Sequence, residues 1–354
     1  MNIISSFRED TQSDKPKPGC YEWWYFDARS ADGYTTVIIF YDGNPFSRRY
    51  IESIERNDGK TASDFPAISI SVYKNGIPLF YSFEEFSPKV SFFSVTSPKG
   101  NTGLSHFEGK IKNGQITYEV TLNQKVANGD SITGKLLFTS ANFDFGLKQG
   151  RLNRGQNDHT WNLVAPAADV KGNLLITGFR NHNIHFEGMG YHDHNFGNEP
   201  MRESFEEWYW GRYHLDEITL VYYLMNQKNH WNKKAWVIDK DGLVSEFDEI
   251  SITDSEYNPF GLWSARKIEF SGNRTTAVLQ KDKVIDNGPF YQRFEGRLLL
   301  NSDDKLSECR GVSEYIKPER IYRKLFWPLV NMRITYPGKP HWVQKNPRLY
   351  RWTW

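Results

Sequence analysis

The chain has 354 residues, with 44 Lys and Arg against 43 Asp and Glu, for a net charge of +1. So even a balance gives no long-range field for a phosphate backbone, and nucleic acid is excluded as a partner. Two domains are expected at this length. The two cysteines, Cys20 and Cys309, are distant and outside any CxxC or CxH pattern, so neither a zinc ribbon nor a disulfide framework is available.

Residues 1–20 are polar and end at Pro18-Gly19. They lack the apolar run of a secretory signal, and no later stretch reaches the length of a membrane span. The expectation is a cytoplasmic protein with a disordered or extended lead-in over 1–20. Aromatic residues make up 16% of the chain although the mean hydropathy is −0.65. Trp, Tyr and Phe must therefore supply much of the buried apolar area, in a solid core or as the flat walls of a cavity.

From residue 34 onward, alternating apolar and polar positions predict strands over Thr36–Tyr41, Ala67–Tyr73, Val90–Thr96, Gln115–Leu122, Ile132–Ser140, Ile218–Leu224, Ala235–Ile238, Lys267–Phe270 and Phe294–Leu300. Asp32-Gly33, Asn75-Gly76, Asn113-Gly114 and Asp241-Gly242 are turn pairs that accept positive φ. The chain reads as all-β and antiparallel. Helical spacing emerges only in 318–334, where Ile321, Leu325, Leu329 and Met332 recur after Pro318 and Pro328 should kink the run. This short, basic C-terminal helical segment could cover the end of a sheet or make a weak peripheral contact with a membrane.

Glu22-Trp23-Trp24-Tyr25 leads through a turn into TTVIIFY, and Glu207-Trp208-Tyr209-Trp210 leads into ITLVYYL. Two related β modules in tandem account for this repeat, one over 21–197 and the other over 198–354, joined at the polar, Pro-containing stretch 197–205.

The densest polar motif is GMGYHDHNFG (188–197). If it is extended, His192 and His194 share one face and Tyr191, Asp193 and Asn195 the other. Three readings follow: a metal site on His192 and His194, with His182 or His185 approaching; a polar knot that satisfies backbone groups, its glycines allowing close approach or positive φ; or acid–base chemistry. The third draws on the surrounding acids and aromatic rings around Glu22, Asp27, His159-Thr160-Trp161 and Glu207. Aromatic walls raise carboxyl pKa values and shelter cations, as protonation of an alkene requires. No G-x-S-x-G elbow, phosphate loop or dinucleotide fingerprint is present, which disfavours nucleotide cofactors.

The set YEWWYFDA (21–28), HTWNLVAPAADVKG (159–172), GMGYHDHNFG (188–197), WYWGR (208–212) and GVSEYIKPERI (311–321) resembles the hydroxyneurosporene synthase family, the carotenoid 1,2-hydratases and their relatives. The resemblance implies two tandem lipocalin-like β-barrel or sandwich domains, a hydrophobic cavity in or between them, and no organic cofactor. It implies a large apolar substrate (polyene, terpenoid or polyketide) and an enzyme that cyclises, as in Diels–Alder chemistry, isomerises or hydrates it. Where the family usually has Trp in its HNWG run this chain has Phe196. Where the carotenoid hydratases carry an acid after WxWGR it has Tyr223. The residues expected to act chemically are Asp193, His194 and Tyr223; those expected to line the substrate are Trp24, Asn195, Phe196, Trp208, Trp210 and Tyr222. The competing readings are a carrier of a hydrophobic ligand and a metal-dependent enzyme on His192 and His194.

Overall fold

The computed structural model describes the chain except for residues 143–158, 216, 228, 229, 240, 241, 243, 303 and 304. It divides into two compact units, Met1–Ser204 with Lys324–Trp354, and Phe205–Arg323. In the first unit the strands are β1 (Asn2–Ile4), β2 (Tyr21–Ser30), β3 (Tyr34–Asp42), β4 (Pro66–Lys74), β5 (Ile77–Glu85) and β6 (Ser91–Phe93). They continue with β7 (Lys99–Thr102), β8 (Ser105–Lys112), β9 (Gln115–Lys125), β10 (Ser131–Ala141), β11 (His159–Thr177) and β12 (His182–Gly197). The second unit holds β13 (Glu207–Leu215), β14 (Ile218–Gln227), β15 (His230–Asp239), β16 (Val244–Glu246), β17 (Glu249–Tyr257), β18 (Trp263–Ser271), β19 (Thr275–Asn287), β20 (Tyr291–Ser302) and β21 (Lys305–Ile316). The short β22 (Ile334–Thr335) returns to the first.

The first sheet runs β22-β5-β4-β3-β2-β12-β11-β10-β9-β8-β7-β6, with β1 added parallel to β11. It curls until β3 and β4 meet β7, and Trp24 stacks on Phe93 at 4.6 Å while Phe40 meets Phe107 at 5.1 Å. One apolar cluster fills its concave side, from Trp24, Phe26, Ile38 and Phe40 through Tyr118, Val120 and Phe138 to Val170, Ile184 and Phe186. Alternation does this: every second residue of these strands points inward. The second sheet, β16-β15-β14-β13-β21-β20-β19-β18-β17, encloses its own cluster around Tyr209, Tyr213, Leu220, Tyr222, Phe270, Leu298 and Tyr315. The predicted strands fall in these sheets, except that of Val90–Thr96 only Ser91–Phe93 is a strand, Pro88–Val90 being a 3-10 turn. Both Asn75-Gly76 and Asn113-Gly114 have positive φ at both positions, which joins their strands by tight hairpins. The architecture is the tandem all-β, lipocalin-like one.

Three expectations change. Residues 1–20 are not a disordered lead-in: β1 pairs with β11, and Asp10 is fully buried. The first unit ends at Ser204, inside the 197–205 connection, but residues 324–354 belong to it and not to the second, and Ile334 and Thr335 pair with Phe83 and Glu84 of β5. The 318–334 run is not one kinked helix. It is made of 3-10 turns at Pro318–Tyr322 and Lys324–Phe326 followed by a helix, Trp327–Arg333, near whose start Pro328 sits, where a missing N–H costs nothing. Its buried side is Ile321, Trp327 and Val330, and Leu325 is 82% exposed.

Candidate functional site

Strand β12 lies between β11 and β2, with His194 opposite Trp24 and His192 opposite Phe26. Cross-strand partners share a face, so both imidazoles enter the packed interior of the first unit. The His194 ring stacks on Trp24 at 4.5 Å, with Phe196 at 5.2 Å, and the His192 ring stacks on Phe26 at 3.9 Å. Between the imidazoles lies Asp10, with Oδ2 3.0 Å from His192 Nε2 and Oδ1 3.3 Å from His194 Nδ1. His192 Nδ1 is 3.0 Å from the Tyr25 carbonyl. A carbonyl can only accept, so Nδ1 donates there, and the Nε2–Asp10 contact needs a proton of its own. The Tyr118 hydroxyl also donates to Asp10, and burial, reinforced by the Asp10 charge, pushes its pKa well above the usual phenol value.

Further along the same face, His194 Nε2 meets Glu22 Oε1 at 2.8 Å. Glu22 also accepts from the Ser13 backbone N–H at 2.7 Å and is paired with Lys15, whose ammonium reaches Asp42 at 2.7 Å. Burial pushes the Glu22 carboxyl up, but the Lys15 charge and the His194 hydrogen bond outweigh it, so its pKa is lowered. Glu22 is therefore ionised at neutral pH, which removes it from the candidates for a proton donor. Asn162, opposite His194 on β11, exchanges two 2.9 Å hydrogen bonds with the Ser6 backbone. This face of the motif thus clasps the N-terminal segment.

Asp193 points the other way. Its carboxylate accepts from Trp161 Nε1 at 2.7 Å, the Tyr191 hydroxyl at 2.6 Å and Asn195 Nδ2 at 2.8 Å, all of them buried. Tyr25 meets Tyr191 edge-on at 6.1 Å, and Trp23 stacks on Tyr21 at 5.4 Å. Tyr21 bonds His159 Nδ1 at 3.0 Å. Burial, together with the N-terminal ammonium and against a hydrogen bond to Asn195, pushes the His159 pKa down to about 3, so this imidazole is neutral. The face combines an anchored carboxylate, a neutral imidazole and ring faces. The motif's glycines serve close approach: a Cβ at Gly190 would lie 2.5 Å from Val170 and 2.7 Å from the Asp27 carbonyl.

The nine candidates therefore do not share one surface. Trp24, His194 and Phe196 lie on the inner face of the first unit, and Asp193 and Asn195 on its opposite face. In the second unit Trp208, Trp210 and Tyr223 share a face of β13 and β14, with Trp208 and Tyr223 stacked at 6.4 Å. Tyr222 faces that unit's own core, where its hydroxyl bonds Ser313 at 2.8 Å. Glu207 accepts from Tyr315 at 2.5 Å. The sequence reading missed Asp10 and Lys15, which carry no periodic signal, and Trp161 as a donor, although its motif stood out.

No group of three His, Cys, Asp or Glu side chains is arranged for a metal among the described residues. His182 and His185 lie toward the other end of β12, and His185 bonds Asn173 at 3.0 Å. Each Nε2 of His192 and His194 faces a carboxylate instead.

A tandem β fold of this kind defines the lipocalin-like class. The sequence profile of the carotenoid hydratase CrtC family matches residues 118–345, and the chain belongs to that family. A hydroxyneurosporene dehydrogenase of Chlorobaculum tepidum is 28% identical over 96% of this chain and 93% of its own. A quinolone epoxide rearrangement protein of Emericella nidulans is 31% identical over 68% and 66%. In fold, an AttH protein of Nitrosomonas europaea superposes with a TM-score of 0.58 at 14% identity, covering 88% of this chain and 97% of that one. CghA, solved with Sch210972, gives 0.56 at 12% identity over 89% and 94%. Family membership places the protein among enzymes of the hydratase type.

Proposed function

We propose that the protein hydrates or cyclises a large, apolar, polyunsaturated small molecule, of the acyclic carotenoid kind named for its relatives or a comparable terpenoid or polyketide, without an organic cofactor. The observation that carries this is the Asp193 carboxylate, fixed by three donors among aromatic rings on the face of β12 turned away from the packed interior.

In hydration, a proton adds to one alkene carbon, a cation develops on its neighbour, water binds that carbon, and the water's proton leaves. The sum is addition of H2O with no change in oxidation state. Protonated Asp193 gives the alkene its proton, its carboxylate then faces the cation, and the proton that leaves the added water restores the acid. Ring faces stabilise the cation while excluding bulk water. Cyclisation uses the same cation with a second alkene in place of water, the ring cation then losing a proton to the Asp193 carboxylate, and holding the chain folded contributes up to about 7–11 kcal/mol.

Incubation with acyclic carotenoids in 18O-labelled water tests the reading. Hydration gives a product heavier by one labelled water, and cyclisation an isomer of equal mass and altered retention. Substrate returned unchanged in every case would refute it in favour of a carrier.

A further inference from the structure

We infer that residues 334–354 form a docking surface for an anionic lipid bilayer. Of the chain's 44 Lys and Arg, four fall within 334–354 (Lys339, Lys345, Arg348 and Arg351) and none of its 43 Asp and Glu do, so this segment is basic and the remainder net acidic. The segment is anchored on one side. Ile334 and Thr335 extend the edge of β5. Val343, Gln344 and Tyr350 are buried, Tyr350 against Tyr81 at 6.2 Å, and Arg351 pairs with Asp130 at 3.4 Å. Asn346 caps the helix Pro347–Arg351 by accepting from the N–H groups of Arg348 and Leu349.

Its other side consists of Trp342 and Lys345 on the 3-10 turn Trp342–Lys345, and Arg348, Leu349 and Trp352 on and just after the adjoining helix, all exposed. Trp342 is 66% exposed and Trp352 89%. A three-residue interval puts Trp342 and Lys345 on one side of the turn, and a four-residue interval does the same for Arg348 and Trp352. Tryptophan so exposed on a folded surface is costly in water but favoured at the lipid headgroup boundary, where its ring is buried and its N–H stays polar-solvated. Lysine and arginine beside it match anionic headgroups. Among the described residues no helix is long and apolar enough to cross a membrane, so the surface rests on the bilayer. Such a contact would put the enzyme where long polyenes dissolve.

The test is sedimentation of the full chain with vesicles of phosphatidylcholine alone or with phosphatidylserine. Binding is expected with phosphatidylserine, weakened by salt. It should fall at least about tenfold in Trp342→Ala/Trp352→Ala and in Lys345→Glu/Arg348→Glu, with unfolding midpoints unchanged. No substrate is involved, so the outcome is independent of the proposed reaction. No binding to anionic vesicles, equal binding to neutral ones, or undiminished binding of both variants would overturn the inference. So would a Trp352-dependent dimer that leaves vesicles untouched.

Discussion

Asp10 and His192 stand 182 residues apart in sequence, and 3.0 Å separates their side chains in the interior of the first unit. The pair is fully buried and joined to His194, Tyr118 and the Tyr25 carbonyl. Removing one member of a buried pair leaves the other unmet, at about 3–5 kcal/mol. Asp10→Ala should lower stability by that amount in urea titration. A loss under about 1 kcal/mol would show that the clasp is dispensable.

Asp193→Asn keeps the shape of the side chain and removes its charge. Turnover should fall at least about tenfold, equivalent to about 1.4 kcal/mol of barrier, with the unfolding midpoint little changed. Trp161→Phe removes one of its donors and should produce a smaller loss in the same assay. Wild-type turnover in Asp193→Asn would remove Asp193 from the mechanism.

Glu22 has a lowered folded pKa against an ordinary 4.5, despite burial, because of Lys15 and His194. The stability it contributes is present above its unfolded pKa and lost as pH falls through its folded one. Lys15→Met should therefore destabilise at neutral pH, and the gap to wild type should narrow on acidification below pH about 4.5. Melting curves across pH 3–7 read this directly, and a gap that widens toward acid would contradict it.

Glu85 behaves in the opposite sense. Burial pushes its carboxyl up to about 7, against the Ser47 hydroxyl and the Arg49 charge. From about pH 4.5 to 7 the unfolded chain releases this proton while the folded chain keeps it, so stability declines across that window and levels off above it. In Glu85→Gln the decline should be shallower than in wild type. Identical slopes would place the titration elsewhere.

Dialysis against a chelator should leave the melting midpoint unchanged, since the imidazole Nε2 atoms of His192 and His194 already face Asp10 and Glu22. A fall in the midpoint that zinc restores would return the metal reading.

The strands could be read from the chain because alternation and Asn-Gly turns are local: Thr36–Tyr41 and Gln115–Leu122 need only their own side-chain pattern. The opposite facing of His194 and Asp193 follows from the same period of two, but alternation does not say which face is filled, so it cannot separate them into two sites. What fills it is Asp10, in a segment without a regular period, whose position depends on partners more than 100 residues away. The lesson of 318–334 is similar. Helical spacing there is real, but Pro328 starts a helix instead of bending one, and tertiary contacts choose Trp327 over Leu325 for burial. Tyr222 and Tyr223 differ by one position and so belong to different faces, a distinction composition cannot make.

Because β1 pairs with β11 and β22 with β5, the first unit is assembled from both ends of the chain, with residues 205–323 inserted between its parts. During synthesis the ribosome delivers Asp10 long before the histidines that hold it, and the whole second unit emerges before β22 can complete the first. The second unit can thus mature while its predecessor is still unfinished, and the early exposed strand edges of that predecessor are the stretch most in need of a chaperone.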